Sequence, residues 1–142
     1  MALRWADFIT PSTLQLAPLL DLLLEPLRLS PEARMDLQLG LQEALVNAVR
    51  HGNGCDPCKC LRVRRILTPN WVIWQVQDEG PGIPCEARHR ELPANPGALT
   101  GRGLFIIHNC FDDVRWSGRG NRLQVAVRRA RVSGRGWGSP DR

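Results

Sequence analysis

The sequence predicts an α/β (α+β) two-layer sandwich, a mixed, mainly antiparallel sheet of four or five strands backed by three helices. Leucines at helical spacing fill the first part of the chain, and two alternating apolar stretches flank Pro69 and Asn70. Further strand-like stretches follow beyond Val114. At 142 residues, 43% hydrophobic and 23% charged, the chain is sized for one globular core rather than a two-domain enzyme. Residues 1–132 are expected to form that domain. Residues 133–142 contain glycine, serine and proline without a period, which predicts a disordered tail.

Taken in order, Leu3–Thr10 reads as a first strand with a weak pattern. Ser12 followed by Gln15 three residues on reads as a capping box opening a helix from about Thr13 to Leu27, with Leu16, Leu19, Leu20, Leu23, Leu24 and Leu27 on its apolar face. A second helix is expected from Ser30, as cap, to about His51, because Pro31 and Glu32 suit a helix start. Leu37, Leu41, Ala44, Leu45 and Ala48 form its stripe, and Gly52, Asn53 and Gly54 end it. Leu61–Thr68 and Trp71–Asp78 predict a hairpin in which Val72, Trp74, Val76 and Asp78 share the buried face. Ile83–Gly103 reads as a long loop, Gly103–Cys110 as a short buried helix, and Val114–Ser117 and Arg122–Val132 as strands.

The formal charge of +5 is unevenly placed. From Arg115 onward the net charge is +7, leaving −2 for the rest, so the basicity belongs to the end of the chain and argues against direct nucleic-acid binding by the whole domain. The arginines 115, 119, 122, 128, 129 and 131 mostly alternate with apolar residues, as on the solvated face of a strand, a face that can also receive an acidic partner. No apolar run is long enough to span a membrane, and Met1–Thr10 lacks the apolar stretch of a signal peptide. A cytoplasmic protein is expected, with its five cysteines reduced.

Three segments carry chemistry in combination. Glu43, Ala44, Leu45, Val46 and Asn47 continue to Asn53 on the second helix, with Glu43 and Asn47 four apart on one face. Asp78, Glu79, Gly80, Pro81 and Gly82 end a strand, and Thr100, Gly101, Arg102, Gly103 and Leu104 precede the short helix. In type, order and spacing these segments resemble the N-box, the D-x-G-x-G box and the second glycine box of the GHKL (Bergerat) ATP-binding superfamily, and within it the anti-sigma factor serine/threonine kinases. The resemblance spans about Leu3 to Val132.

The resemblance implies ATP and Mg²⁺ as cofactors, with nucleotide between the helix layer and a lid from Ile83 to Thr100. Asn47 then becomes a Mg²⁺ ligand through a neutral amide oxygen. Glu43, one turn earlier, lies near the terminal phosphate as catalytic base. Asp78 accepts a hydrogen bond from the adenine amino group and disfavours guanine, whose carbonyl would face another acceptor. Gly80 and Gly82 let backbone approach the purine, while Gly101, Arg102, Gly103 and Leu104 receive phosphate at a helix start. By resemblance the activity is phosphorylation of an anti-anti-sigma antagonist, coupled to sequestration of a sigma factor by a homodimer.

A nucleotide-gated binding module without kinase activity is the competing expectation, and Glu43 argues against it. A histidine-kinase catalytic fragment ranks third. One departure from the family pattern is Gly120–Asn121, where a glycine–threonine pair is common. Arg50 and His51 read as rim or cap residues. Cys55, Cys58 and Cys60, spaced C-x-x-C-x-C, read as a loop of free thiols, with a zinc site completed by Cys85, Cys110 or His51 as the alternative.

Overall fold

The computed structural model describes residues 4–88 and 99–133. A five-stranded sheet runs in the order β1-β2-β3-β5-β4, from β1 (Arg4–Pro11), β2 (Cys60–Leu67), β3 (Trp71–Gln77), β4 (Asp113–Trp116) and β5 (Arg122–Arg128). Every pairing is antiparallel, so the mixed component expected from sequence is absent from the described strands. Helices α1 (Ala17–Leu24), α2 (Pro31–Asn47) and α3 (Leu99–Cys110) form the second layer, and a short α4 (Arg129–Val132) closes the described chain.

The core lies between the layers. Leu23, Leu24, Leu37, Leu41 and Leu45 meet Leu61, Val63, Val72, Val125 and Val127, all fully buried. Trp74 sits at the centre, its ring 6.0 Å from that of Phe111 and its indole N–H donating to the Leu23 carbonyl at 3.3 Å. The alternation in β3 thus buries the residues predicted from period two, with Asp78 just beyond the last paired residue.

Ser30 caps α2 as the sequence predicts, its hydroxyl accepting from the Ala33 amide at 3.1 Å. The capping box at Ser12 and Gln15 does not form. The Ser12 amide donates to the Lys59 carbonyl at 2.9 Å, prolonging the β1–β2 ladder, so the helix starts only at Ala17 with no side-chain cap. Pro18 in the first turn marks the start, and α1 stops at Leu24 before Pro26.

The second strand-to-helix boundary also differs. The strand expected to reach Val132 ends at Arg128, because the Arg129 amide turns to the Asn70 carbonyl (2.9 Å) and the Arg129 side chain folds inward to the Thr68 carbonyl (2.7 Å). Arg129 is 8% exposed, so it leaves the set of solvated arginines. Ser133, placed in the expected tail, bridges to Leu29, whereas residues 134–142 lie outside the described residues. None of the described helices is long and apolar enough to cross a membrane.

Candidate functional site

The helix carrying Glu43 and Asn47 does not end as a regular α-helix. Past Asn47 it widens into a π-turn over Ala48–Gly52, closed by the Asn53 amide donating to the Ala48 carbonyl at 2.8 Å. A π-turn inserts one residue per turn and commonly marks a functional site. Here it brings Gly52 directly against Asp78. A β-carbon on Gly52 would run into the Asp78 carboxylate, and one on Gly80 would run into the Gly52 carbonyl.

Asp78 is held from both sides. Its amide donates to the Asn121 carbonyl at 3.0 Å, its carboxylate accepts from the Gly80 amide at 2.7 Å, and the next amide, of Glu79, donates to the Asn53 side chain at 2.8 Å. Burial pushes the carboxyl pKa up, opposed by the Gly80 hydrogen bond and by the charges of Lys59 and Arg119. A half-buried carboxylate with one oxygen committed to backbone retains acceptor capacity for a ligand donor.

The carboxylate opens on a narrow cleft that Asn47, Val76, Gly82, Trp116 and Leu123 help to line. Gly82 has φ +92°, a conformation natural to glycine, and sits where its neighbour is the Arg119 carbonyl. The turn between β4 and β5 therefore forms one wall. Arg88 ties the segment after Gly82 to that wall, its guanidinium donating to the Ile83 and Gly118 carbonyls at 2.9 and 3.3 Å.

Asn47 lines this cleft, and Glu43 stands beside it where α2 faces α3. A β-carbon on Gly103 would stand 3.1 Å from both Glu43 Oε2 and Asn47 Nδ2. The Asn47 side chain is buried, and its Nδ2 has no hydrogen-bond partner among the described residues. An unpaired buried N–H costs free energy unless a ligand or water accepts from it, so this position fits an acceptor such as a phosphate oxygen, and the Oδ1 of the same amide is the atom that would face a metal.

Gly101 and Arg102 are expected in the loop before a helix that opens at Gly103 and includes Leu104. All four lie within α3, which begins at Leu99. Arg102 is exposed, and Gly103 and Leu104 are buried. Of the lid expected over Ile83–Thr100, residues 83–88 contain a short 3₁₀ turn (Cys85–Ala87), and residues 89–98 lie outside the described residues. The model of one family, described as a histidine kinase-like ATPase domain, matches residues 12–127. The chain belongs to that family.

Two groups of relatives sharpen the placement within these ATPase domains. The anti-sigma F factor of Geobacillus stearothermophilus is 33% identical over 82 residues, covering 56% of this chain and 56% of that protein. The serine-protein kinase RsbW of Listeria monocytogenes serovar 1/2a is 29% identical over 93 residues, covering 61% and 59%. The chain thus spans somewhat more than half the length of the curated relatives it matches. These similarities support the anti-sigma kinase branch of the histidine kinase-like ATPase domains.

Several residues of this ATPase domain have no individual functional role assigned from the sequence. Asn53 reads as a helix stop and Ser12 as a cap, yet their side chains meet at 3.2 Å beneath the Asp78 turn. Asn121, standing where a threonine is common, gives its carbonyl to Asp78 N–H and its side-chain amide to the Asp78 carbonyl at 3.4 Å. Cys55, Cys58 and Cys60 are exposed and free, and among the described residues no three or more His, Cys, Asp or Glu side chains are arranged to hold a metal. The zinc alternative therefore gains no geometric support.

Proposed function

We propose that the chain is an ATP-dependent protein serine/threonine kinase of the anti-sigma type, using the site residues in the roles that the family resemblance implies. The observation carrying this reading is that Asp78 and Asn47 line one cleft while Glu43 stands beside Asn47 against Gly103 of α3. Asp78 shares that cleft with the apolar side chains of Val76 and Leu123. That arrangement suits a nucleotide with its base toward Asp78 and its phosphates toward α2 and α3.

In this reading Asp78 accepts a hydrogen bond from the exocyclic amine of adenine, which selects ATP over GTP. The Asn47 amide holds the phosphate-bound Mg²⁺, which when bound neutralises charge on the phosphates. Gly101, in the first turn of α3, supplies a backbone amide toward the phosphates, while Gly103 and Leu104 border the site with amides used within the helix, and Arg102 lies on the exposed side of α3 to meet an oxygen. Glu43 accepts the proton of the attacking serine or threonine hydroxyl. The new bond joins that oxygen to the terminal phosphorus, the bond from phosphorus to the bridging oxygen breaks, and ADP leaves with the electron pair.

The protein substrate in this proposal is an anti-anti-sigma antagonist, and the sequestered partner is a sigma factor bound by a homodimer in the cytoplasm. The names of the similar proteins support the sigma-factor and serine-kinase parts of that reading, and the antagonist, the homodimer and the cytoplasm rest on the family resemblance. Incubation with labelled ATP, Mg²⁺ and a candidate antagonist, followed by phosphosite mapping, tests it. Incorporation of one phosphate that vanishes in Glu43→Gln is the expected result. ATP binding without transfer under every condition would leave the nucleotide-gated binding module as the function.

A further inference from the structure

We infer that Asn53 is a positioning residue for base recognition, whose buried carboxamide sets where the Asp78 carboxylate stands. The inference rests on the nucleotide reading given above and adds a positioning role for the residue that ends the first of the three segments. Asn53 is 1% exposed. Its Oδ1 accepts from the Glu79 amide at 2.8 Å, and its Nδ2 donates to the Ser12 hydroxyl at 3.2 Å and to the Cys60 carbonyl at 3.1 Å. The backbone of the same residue closes the π-turn onto Ala48 and receives the Asp56 amide at 3.1 Å.

One side chain therefore joins four pieces of the molecule: the helix exit, the end of the first strand segment, the start of β2 and the turn after β3. An amide suits the position because it accepts on one side and donates twice on the other. Alanine would leave the Glu79 amide without this acceptor. The peptide between Asp78 and Glu79 would then be held only by the Asp78 contact with Asn121, the Glu79 carboxylate bonded to the Cys60 amide at 2.6 Å, and packing against Gly52. A residue that merely glued the fold would change stability without changing which base is preferred. A positioning residue changes the preference itself, because the base-reading carboxylate moves.

The test measures Mg²⁺-ATP and Mg²⁺-GTP affinity calorimetrically for the wild-type chain, Asn53→Ala, Asp78→Asn and the double variant. Asn53→Ala is expected to weaken ATP binding about tenfold, the cost of one mispositioned hydrogen bond, and to collapse the ATP-over-GTP preference. The double variant should bind ATP no more weakly than Asp78→Asn alone, since both changes act on one contact. Wild-type ATP affinity and preference in Asn53→Ala, or fully additive losses, overturn the inference while leaving the nucleotide reading intact. A wild-type chain that binds neither nucleotide overturns both. Should Asn53→Ala fail to fold, Ser12→Ala removes the bond orienting the amide. A loss of about two- to fivefold with reduced preference is then expected, and unchanged binding refutes the assignment.

Discussion

The α-carbon of Gly80 lies against the carbonyl of Gly52, with no space for a side chain between them. This backbone-to-backbone contact joins the exit of α2 to the turn that carries Asp78, and it fixes one boundary of the cleft. Gly52→Ala would drive a methyl group into the Asp78 carboxylate. We expect the variant to lose about 1–3 kcal/mol of stability from overpacking and to bind ATP at least about tenfold more weakly. Chemical denaturation and calorimetric titration check the two effects separately, and normal ATP affinity would remove this contact from the determinants of the site.

Asp78 sets stability against recognition. Its carboxyl pKa is raised above the usual 3.8 by burial. The folded protein therefore takes up this proton more readily than the unfolded chain, so the ionised group destabilises the fold at neutral pH, and that penalty disappears as pH falls through the raised value. Asp78→Asn should accordingly raise the melting temperature of the nucleotide-free protein at pH 7, with the difference narrowing as pH approaches 3.8. The same variant should weaken ATP binding about tenfold or more. Melting curves across pH and a parallel titration would expose a wrong assignment if the variant were less stable or bound ATP normally.

Glu43 and Asn47 share a helix face yet should separate kinetically. Glu43→Gln keeps the shape and the hydrogen-bonding reach of the side chain but cannot take a proton, so ATP binding should stay within about threefold while phosphotransfer falls by about 10² or more. Asn47→Ala should instead abolish the Mg²⁺ dependence of ATP binding. Single-turnover phosphotransfer and titrations with and without Mg²⁺ distinguish the two, and equal effects on both measurements would contradict the division of roles.

A third glycine governs the helix layer. A β-carbon on Gly40 would approach the Cys110 β-carbon and the Phe111 ring to 2.7 Å, where α2 crosses α3. Alanine is the better helix former by about 1 kcal/mol, but the crowding opposes it. Gly40→Ala is expected to destabilise the protein by about 1–2 kcal/mol net, measured by urea denaturation. A stabilised variant would mean that the helix crossing yields easily.

The sequence made the layers readable because their periods are unambiguous. Leu37, Leu41 and Leu45 recur on one face of α2, and Val72, Trp74 and Val76 alternate in β3, so core positions followed from spacing alone. Glu43, Asn47 and Asp78 were legible as a set; the structure places Asn47 and Asp78 on one cleft and Glu43 beside Asn47 against Gly103. The capping reading at Ser12 failed because a local hydrogen-bond motif competed with a strand ladder made to a residue 47 positions away. The end of β5 was missed for a similar reason. Arg129 and Arg131, alternating with Ala130 and Val132, look like a strand, whereas the turn is made by Arg129 reaching the Thr68 and Asn70 carbonyls. Nothing in Ala48–Gly52 announces a π-turn, and the contribution of Asn53 depends on partners spread from residue 12 to residue 79.

The π-turn makes the distance along the chain from Asn47 to Gly52 a structural quantity in its own right. Removing one residue from this interval would leave both ends of the motif chemically unchanged and could restore an ordinary helical turn. Gly52 and Asn53 would then rotate by roughly 100° about the helix axis, away from Asp78 and Glu79. In this fold a one-residue deletion here should therefore harm the nucleotide site more than most substitutions of the residues it spans, so loop-length variation belongs on other connections.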